Sequence, residues 1–262
     1  MLVLIRGAGD LASGIALRLF HAGLSVVMTE IARPTTIRRT VAFSQAVAQG
    51  KTQVEDVTAR LCQVEDVAGV LAAGEIPVLV DPEAAAISVL KPRVVVDAIL
   101  AKKNLGTAIT DAPVVIGVGP GFTAGVDCHA VVETMRGHTL GRVIWKGSAL
   151  PNTNIPGLIG GFAGERVLRA PADGIFQPAL EIGALVKAGD AAGYVGEKAM
   201  VCTIDGVLRG ILPPDTPVRK GMKSGDVDPR GCVENCTTAS DKALAIGGGV
   251  LEAILQKTGA LR

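Results

Sequence analysis

The stretch Val3-Leu4-Ile5-Arg6-Gly7-Ala8-Gly9-Asp10-Leu11-Ala12-Ser13-Gly14 reads as an apolar strand that runs into a glycine turn and then into a helix. Gly7 suits the sharp turn, Gly9 lets backbone approach a pyrophosphate, and Ala12 is small enough for the helix to press on the sheet. Asp10, Leu11 and Ala12 open the helix. Their N–H groups and the positive end of the macrodipole hold an anion without a lysine. Glu30 closes the next apolar run, Ser25-Val26-Val27-Met28-Thr29, about where an acid that bonds a ribose 2′-OH is expected. The predicted site is therefore one for a nucleotide or dinucleotide. The competing reading is a glycine turn that is only a turn.

Outward from this motif the alternation continues. Leu11 to Phe20 has helical spacing and Gly23 stops it; Ile31 to Thr40 reads as a candidate recognition loop or, alternatively, Thr36 caps a second helix that reaches Gln49 before Gly50. Asp56 to Cys62 reads as a short strand and Val64 to Ala73 as a helix. Ile76 to Asp81, Arg93 to Asp97 and Val114 to Val118 are continuous apolar runs of the kind that form buried parallel strands. Ligands in open α/β sheets sit beyond the carboxyl ends of the strands, so Gly7, Gly9, Glu30, Asp81 and Asp97 are expected around one crevice. Arg38, in the arginine-containing stretch after Glu30, is a candidate phosphate or ribose contact, and equally an ordinary surface arginine.

Gly119-Pro120-Gly121-Phe122-Thr123-Ala124-Gly125 resembles an anion-binding nest, with Gly119 and Gly121 as its candidate contacts. Asp127, Cys128 and His129 follow it as candidate catalytic residues. A thiolate beside N–H dipoles or a protonated histidine would be nucleophilic, whereas the bland reading makes Cys128 a small buried thiol. Neighbouring side chains on a strand face opposite ways, which weakens joint chemistry.

A repeat appears between Val167 and Arg230 at an offset of 32 residues. Asp173-Gly174-Ile175-Phe176, Leu180, Val186-Lys187 and Gly189 match Asp205-Gly206-Val207-Leu208, Leu212, Val218-Arg219 and Gly221. Such duplicated short strands resemble the half-barrels of biotinyl and lipoyl carriers. Lys198 lacks a carrier's flanking residues and is expected to stay unmodified. Cys232 and Cys236 stand four apart, without the two further ligands that a soft-metal site needs, so no metal is assigned.

With 262 residues, 26 basic and 25 acidic, the chain has a net charge of +1 and no electrostatic footprint for nucleic acid or an anionic membrane. No apolar run reaches the roughly 18 residues of a membrane span. The five cysteines are odd in number and scattered, and no signal-peptide pattern precedes the first strand, so a cytoplasmic protein with reduced thiols is expected.

Val3 to Gly14, Glu30 to Phe43, Gly119 to Arg136, Trp145 to Gly157, the duplicated region and Cys236 to Leu255, taken in that order, resemble the YqeB family. The resemblance implies an accessory role in maturation of selenium-dependent molybdenum hydroxylases, with a client hydroxylase as partner. It carries no catalytic residues. The bound molecule would be NAD(P) or the dinucleotide form of the molybdenum cofactor. A free-standing NAD(P)-dependent oxidoreductase and a non-catalytic scaffold are the alternatives. The expected fold is α/β: a Rossmann-like parallel sheet over 1–125, a β-rich connector over 126–166, a barrel-sandwich-hybrid domain over 167–231, and a C-terminal helix over 232–262 that docks on the body.

Overall fold

A computed structural model describes residues 1–153 and 155–260; Asn154, within the turn-rich 150–157 stretch, lies outside the described residues. The chain forms two compact units. One comprises residues 1–34, 42–152 and 239–262, the other residues 35–41 and 153–238. Boundaries at 125, 166 and 231 do not coincide with these units.

The first unit is built on a nine-stranded sheet. Its strands are β1 (Leu2–Arg6), β2 (Ser25–Glu30), β3 (Lys51–Val54), β4 (Val57–Leu61), β5 (Ile76–Val80), β6 (Val94–Asp97), β7 (Val114–Val118), β9 (Ala130–Val132) and β10 (Val143–Ile144). β8 (Thr123–Ala124) and β11 (Gly147–Ser148) pair separately. The order is β10-β9-β7-β6-β1-β2-β5-β4-β3. β1 lies parallel between β2 and β6, with Arg6 opposite Thr29 on one side and Asp97 on the other. The direction of winding reverses at β1. Both outer strands, β3 and β10, run antiparallel to their neighbours.

Helices α1 (Asp10–His21), α2 (Gln45–Gln49), α3 (Val67–Ala72), α4 (Ala86–Leu90) and α5 (Asp241–Thr258) complete the unit. Val67 and Ala86 pack with Leu4, Val27 and Leu79 of the sheet. α1 and α5 meet through small residues: a Cβ on Gly14 would overlap that of Ala243, and one on Gly247 would lie 3.0 Å from the Gly14 carbonyl oxygen. Gly247-Gly248-Gly249 lowers helix propensity, and close approach of two backbones is what the first and third of these glycines permit.

In the second unit, β12 (Val167–Arg169), β14 (Leu185–Val186), β17 (Gly206–Ile211) and β19 (Lys223–Asp228) form one antiparallel sheet. β13 (Gly174–Pro178), β15 (Ala191–Val195), β16 (Lys198–Val201) and β18 (Thr216–Val218) form the other. The sequence repeat becomes a reciprocal clamp. Asp173 accepts the Lys220 N–H at 2.6 Å, and Asp205, its counterpart 32 residues on, accepts the Ala188 N–H at 2.9 Å. Gly174 pairs with Val218 in the same way as Gly206 pairs with Val186.

The expected architecture is corrected on three counts. The large sheet is mixed, because Lys51 to Leu61 forms a hairpin whose polar-alternating strand β3 closes one edge. The supposed connector is no separate layer, since β9 pairs with β7 and β10 with β9. The repeat region is not a self-contained carrier barrel: residues 35–41 belong to its unit, with the Ile211 N–H bonded to the Ile37 carbonyl at 2.8 Å. For the same reason the helix expected from Thr36 is confined to α2.

Candidate functional site

The glycine turn lies at the carboxyl end of β1. Gly7 has φ +94°, and a Cβ there would lie 2.9 Å from the Ala98 carbonyl oxygen, so both conformation and space require glycine. Gly9 is the N-cap of α1 with extended backbone and offers no side chain of its own to cap the helix. Ala12 is buried in the first turn. These positions follow the expected order of strand, turn and helix.

Around the turn, polar groups brace the backbone. The Glu30 carboxylate accepts the Ala8 N–H at 3.0 Å and the Ile31 N–H at 2.8 Å, which ties the end of β2 to the turn. The Ala8 carbonyl accepts from the Ser44 N–H at 2.8 Å and the Ser13 hydroxyl at 3.2 Å; that hydroxyl accepts the Phe43 N–H at 2.8 Å. Asp10 accepts the Leu11 N–H at 2.9 Å. A carboxylate thus stands in the first turn of α1, where it complements the dipole and competes with any incoming anion.

Other expected site residues have different partners. Asp97 is 2 % exposed and points into the protein: Oδ1 accepts the Ile99 N–H at 3.1 Å, and Oδ2 accepts the Thr107 hydroxyl at 2.6 Å and lies 3.7 Å from Arg6. Asp81 receives the Ala85 and Ala86 N–H groups at the start of α4. Arg38 belongs to the second unit, where it donates to the Asn235 and Thr238 carbonyls. Gly119 and Gly121 make room for neighbouring protein groups. A Cβ on the first would lie 2.8 Å from the Thr134 hydroxyl, and one on the second 2.7 Å from Lys103 Cα.

Asp127, Cys128 and His129 do not converge. Asp127 closes a local turn by accepting the Thr123 N–H at 2.7 Å. His129 Nδ1 accepts the Val115 N–H at 3.0 Å, and burial, followed by the Lys257 charge, lowers its pKa and favours neutral imidazole. Cys128 is fully buried among Val95, Val115, Phe122 and Val131. Burial pushes its thiol up to about 11, so the nucleophile expected there is corrected to a packed core thiol. Iodoacetamide at pH 7.5 is therefore expected to leave Cys128 unlabelled in the folded protein while labelling it fully in urea, as read by peptide mass spectrometry. Rapid labelling of the folded chain would return Cys128 to the candidate nucleophiles.

Cys232 donates to the Glu234 carboxylate at 3.1 Å, whereas Cys236 is buried. Among the described residues no group of three or more His, Cys, Asp and Glu side chains forms a metal site. Nor is any described helix long and apolar enough to cross a membrane. Arg6 and Thr107 escaped the sequence reading. Their signal was a basic residue ending one buried apolar run and an acid, Asp97, ending another.

No family model matches the chain. Over 255 residues it is 55% identical to a protein of Escherichia coli (strain K12) described as "Uncharacterized protein YqeB", a match that covers 97% of this chain and 47% of that protein. The chain belongs to the YqeB family. It spans about half the length of the curated relative it matches. Among solved structures it is similar to a succinylglutamate desuccinylase/aspartoacylase from Rhodobacter sphaeroides, with 22% identity over 24% of this chain and 22% of that one, and a TM-score of 0.22. An aspartoacylase family protein from Mesorhizobium loti matches with 8% identity over 86% of this chain and 84% of that one, with a TM-score of 0.28. At such TM-scores neither fold nor chemistry is transferred.

Proposed function

We propose that the protein binds the phosphate group of a nucleotide or dinucleotide at the glycine turn. In this reading it serves as an accessory factor in maturation of selenium-dependent molybdenum hydroxylases, the role implied by the resemblance to the YqeB family. The observation that carries the binding reading is the N-terminus of the 12-residue helix α1, opened by Gly9, which has no capping side chain, at the carboxyl end of the strand where the sheet reverses its winding. Ligands of open α/β sheets gather at that position, and helix N–H groups supply anion donors. The residues fit a phosphate group through backbone rather than through a lysine. Glu30, held by two backbone N–H groups, keeps a carboxylate at the end of β2 for a ribose hydroxyl. NAD(P) and the molybdenum-cofactor dinucleotide both supply such a phosphate and ribose, and a client hydroxylase would receive what the factor delivers.

Gly9 has φ −67°, which valine also adopts, so Gly9→Val is expected to fold and to lose nucleotide binding by at least tenfold in calorimetry. Asp10→Asn removes the competing charge and is expected to tighten binding several-fold, more at low salt than at high. Mass spectrometry of the gently purified protein identifies what copurifies. Unchanged affinity in Gly9→Val, or no nucleotide bound by the parent protein, would remove the basis of this reading.

A further inference from the structure

The connection between β6 and β7 passes directly beneath the glycine turn. Ala98 and Ile99 fill the space beside Gly7, and Lys103 fills that beside Gly121. Between them Leu100 and Lys102 both have φ +62°, the left-handed region that non-glycine residues adopt only when their surroundings impose it. Lys102 and Lys103 are exposed at the tip. Beyond the tip, Asn104 fastens the backbone of Thr107 in both directions, through its amide to the Thr107 carbonyl at 2.7 Å and from the Thr107 N–H to its own carbonyl at 2.8 Å.

Arg6 holds this fastened segment to the sheet. Its guanidinium donates from Nη1 to the Thr107 hydroxyl and from Nη2 to the Leu105 carbonyl at 3.3 Å, and the Thr107 hydroxyl in turn donates to Asp97. Arg6, Thr107 and Asp97 are all at least 96 % buried. Arg6 Nε is buried without a hydrogen-bond partner, so the side chain is placed for these contacts at the expense of full satisfaction. Because Arg6 immediately precedes Gly7, one strand end carries both the turn and the group that restrains its neighbour.

We propose that Arg6, Thr107 and Asp97 form a latch that holds the 98–107 connection against the glycine turn and so positions the wall of the crevice in which a phosphate-bearing ligand sits. The ligand part of this inference rests on the nucleotide-binding reading; the latch itself does not. Thr107→Val keeps the shape of the side chain but removes the hydroxyl that links Arg6 to Asp97. Arg6→Lys keeps the charge, loses the fork, and serves should the first variant fail to fold.

The experiment is limited trypsin digestion under native conditions, followed by mass spectrometry of cleavage after Lys102 and Lys103. It is paired with calorimetric titration of NAD⁺ and AMP. The latch predicts cleavage at these sites at least tenfold faster in Thr107→Val, with the thermal midpoint near that of the parent, and NAD⁺ or AMP affinity reduced about tenfold. Cleavage at the parent rate in a folded variant overturns the latch. Faster cleavage with unchanged nucleotide affinity overturns the positioning of the ligand. If the parent protein binds neither probe, the NAD(P) reading fails and the positioning inference with it, while the cleavage ratio alone still decides the latch.

Discussion

Replacing Asp226 by alanine is expected to lower the stability of the second unit by about 3–5 kcal/mol, the usual result of removing one partner from a buried ionic cluster. Asp226 is 3 % exposed and serves two arginines: Oδ1 accepts from Arg166 at 3.1 Å, and Oδ2 accepts from Arg209 Nε at 2.9 Å. Arg209 also reaches Asp228, which Arg230 bonds from the other side. The substitution removes the carboxylate that the buried Arg166 and Arg209 guanidinium groups share and leaves Arg209 with Asp228. Asp226→Asn tests charge apart from shape and should lose nearly as much. The exposed pair between Lys187 and Asp205 is the control: Lys187→Ala should barely move the unfolding midpoint. A midpoint for Asp226→Ala within a degree of the parent would show that the cluster adds nothing to stability.

The same cluster gives a pH dependence. Burial raises the Asp228 carboxyl, but the Arg230 hydrogen bonds and the Arg209 and Arg230 charges more than reverse this and hold it below its ordinary 3.8. A carboxyl depressed in the folded state stabilises above its unfolded pKa. That contribution is lost as pH falls below about 4.

Gly249→Ala is the second large expected loss, about 3 kcal/mol or more in the first unit, although alanine favours helices by about 1 kcal/mol. A Cβ at 249 would overlap the Gly141 carbonyl oxygen and come within 2.9 Å of Val132. The nearer obstacle is backbone and cannot swing aside as a side chain would. Gly248, one residue away, has nothing within 4 Å of such a Cβ. Gly248→Ala should therefore be neutral or stabilising, and chemical denaturation of the two variants side by side gives the comparison. Equal midpoints would mean that α5 moves freely on the sheet.

Much of this architecture was legible locally. The apolar runs ending at Arg6, Glu30, Asp97 and Val118 became β1, β2, β6 and β7, because short, β-branched apolar runs suit strands buried on both faces of a sheet. The repeat announced itself through glycines and aspartates, residues whose turn conformations and backbone bonds are local properties. The order of the glycine turn, with Gly9 before α1 and Ala12 buried in it, was equally a matter of short-range sequence.

Partnership between distant residues was decided only by tertiary structure. Lys51 to Val54 is too polar to reveal itself as a strand, and becomes one because Val57 to Leu61 folds back on it. Arg38 follows Glu30 closely in sequence, yet it serves the second unit because residues 35–41 pack there. Asp97 and Cys128 have the chemistry of a site but not its exposure. Their surroundings include Arg6 in one case and Val95 in the other, residues too far from them along the chain for any periodicity to link. Composition and spacing determine which segments are buried and how the backbone turns. Whether a buried polar group faces a ligand or another side chain depends on the single atom opposite it, and that atom is set by long-range register.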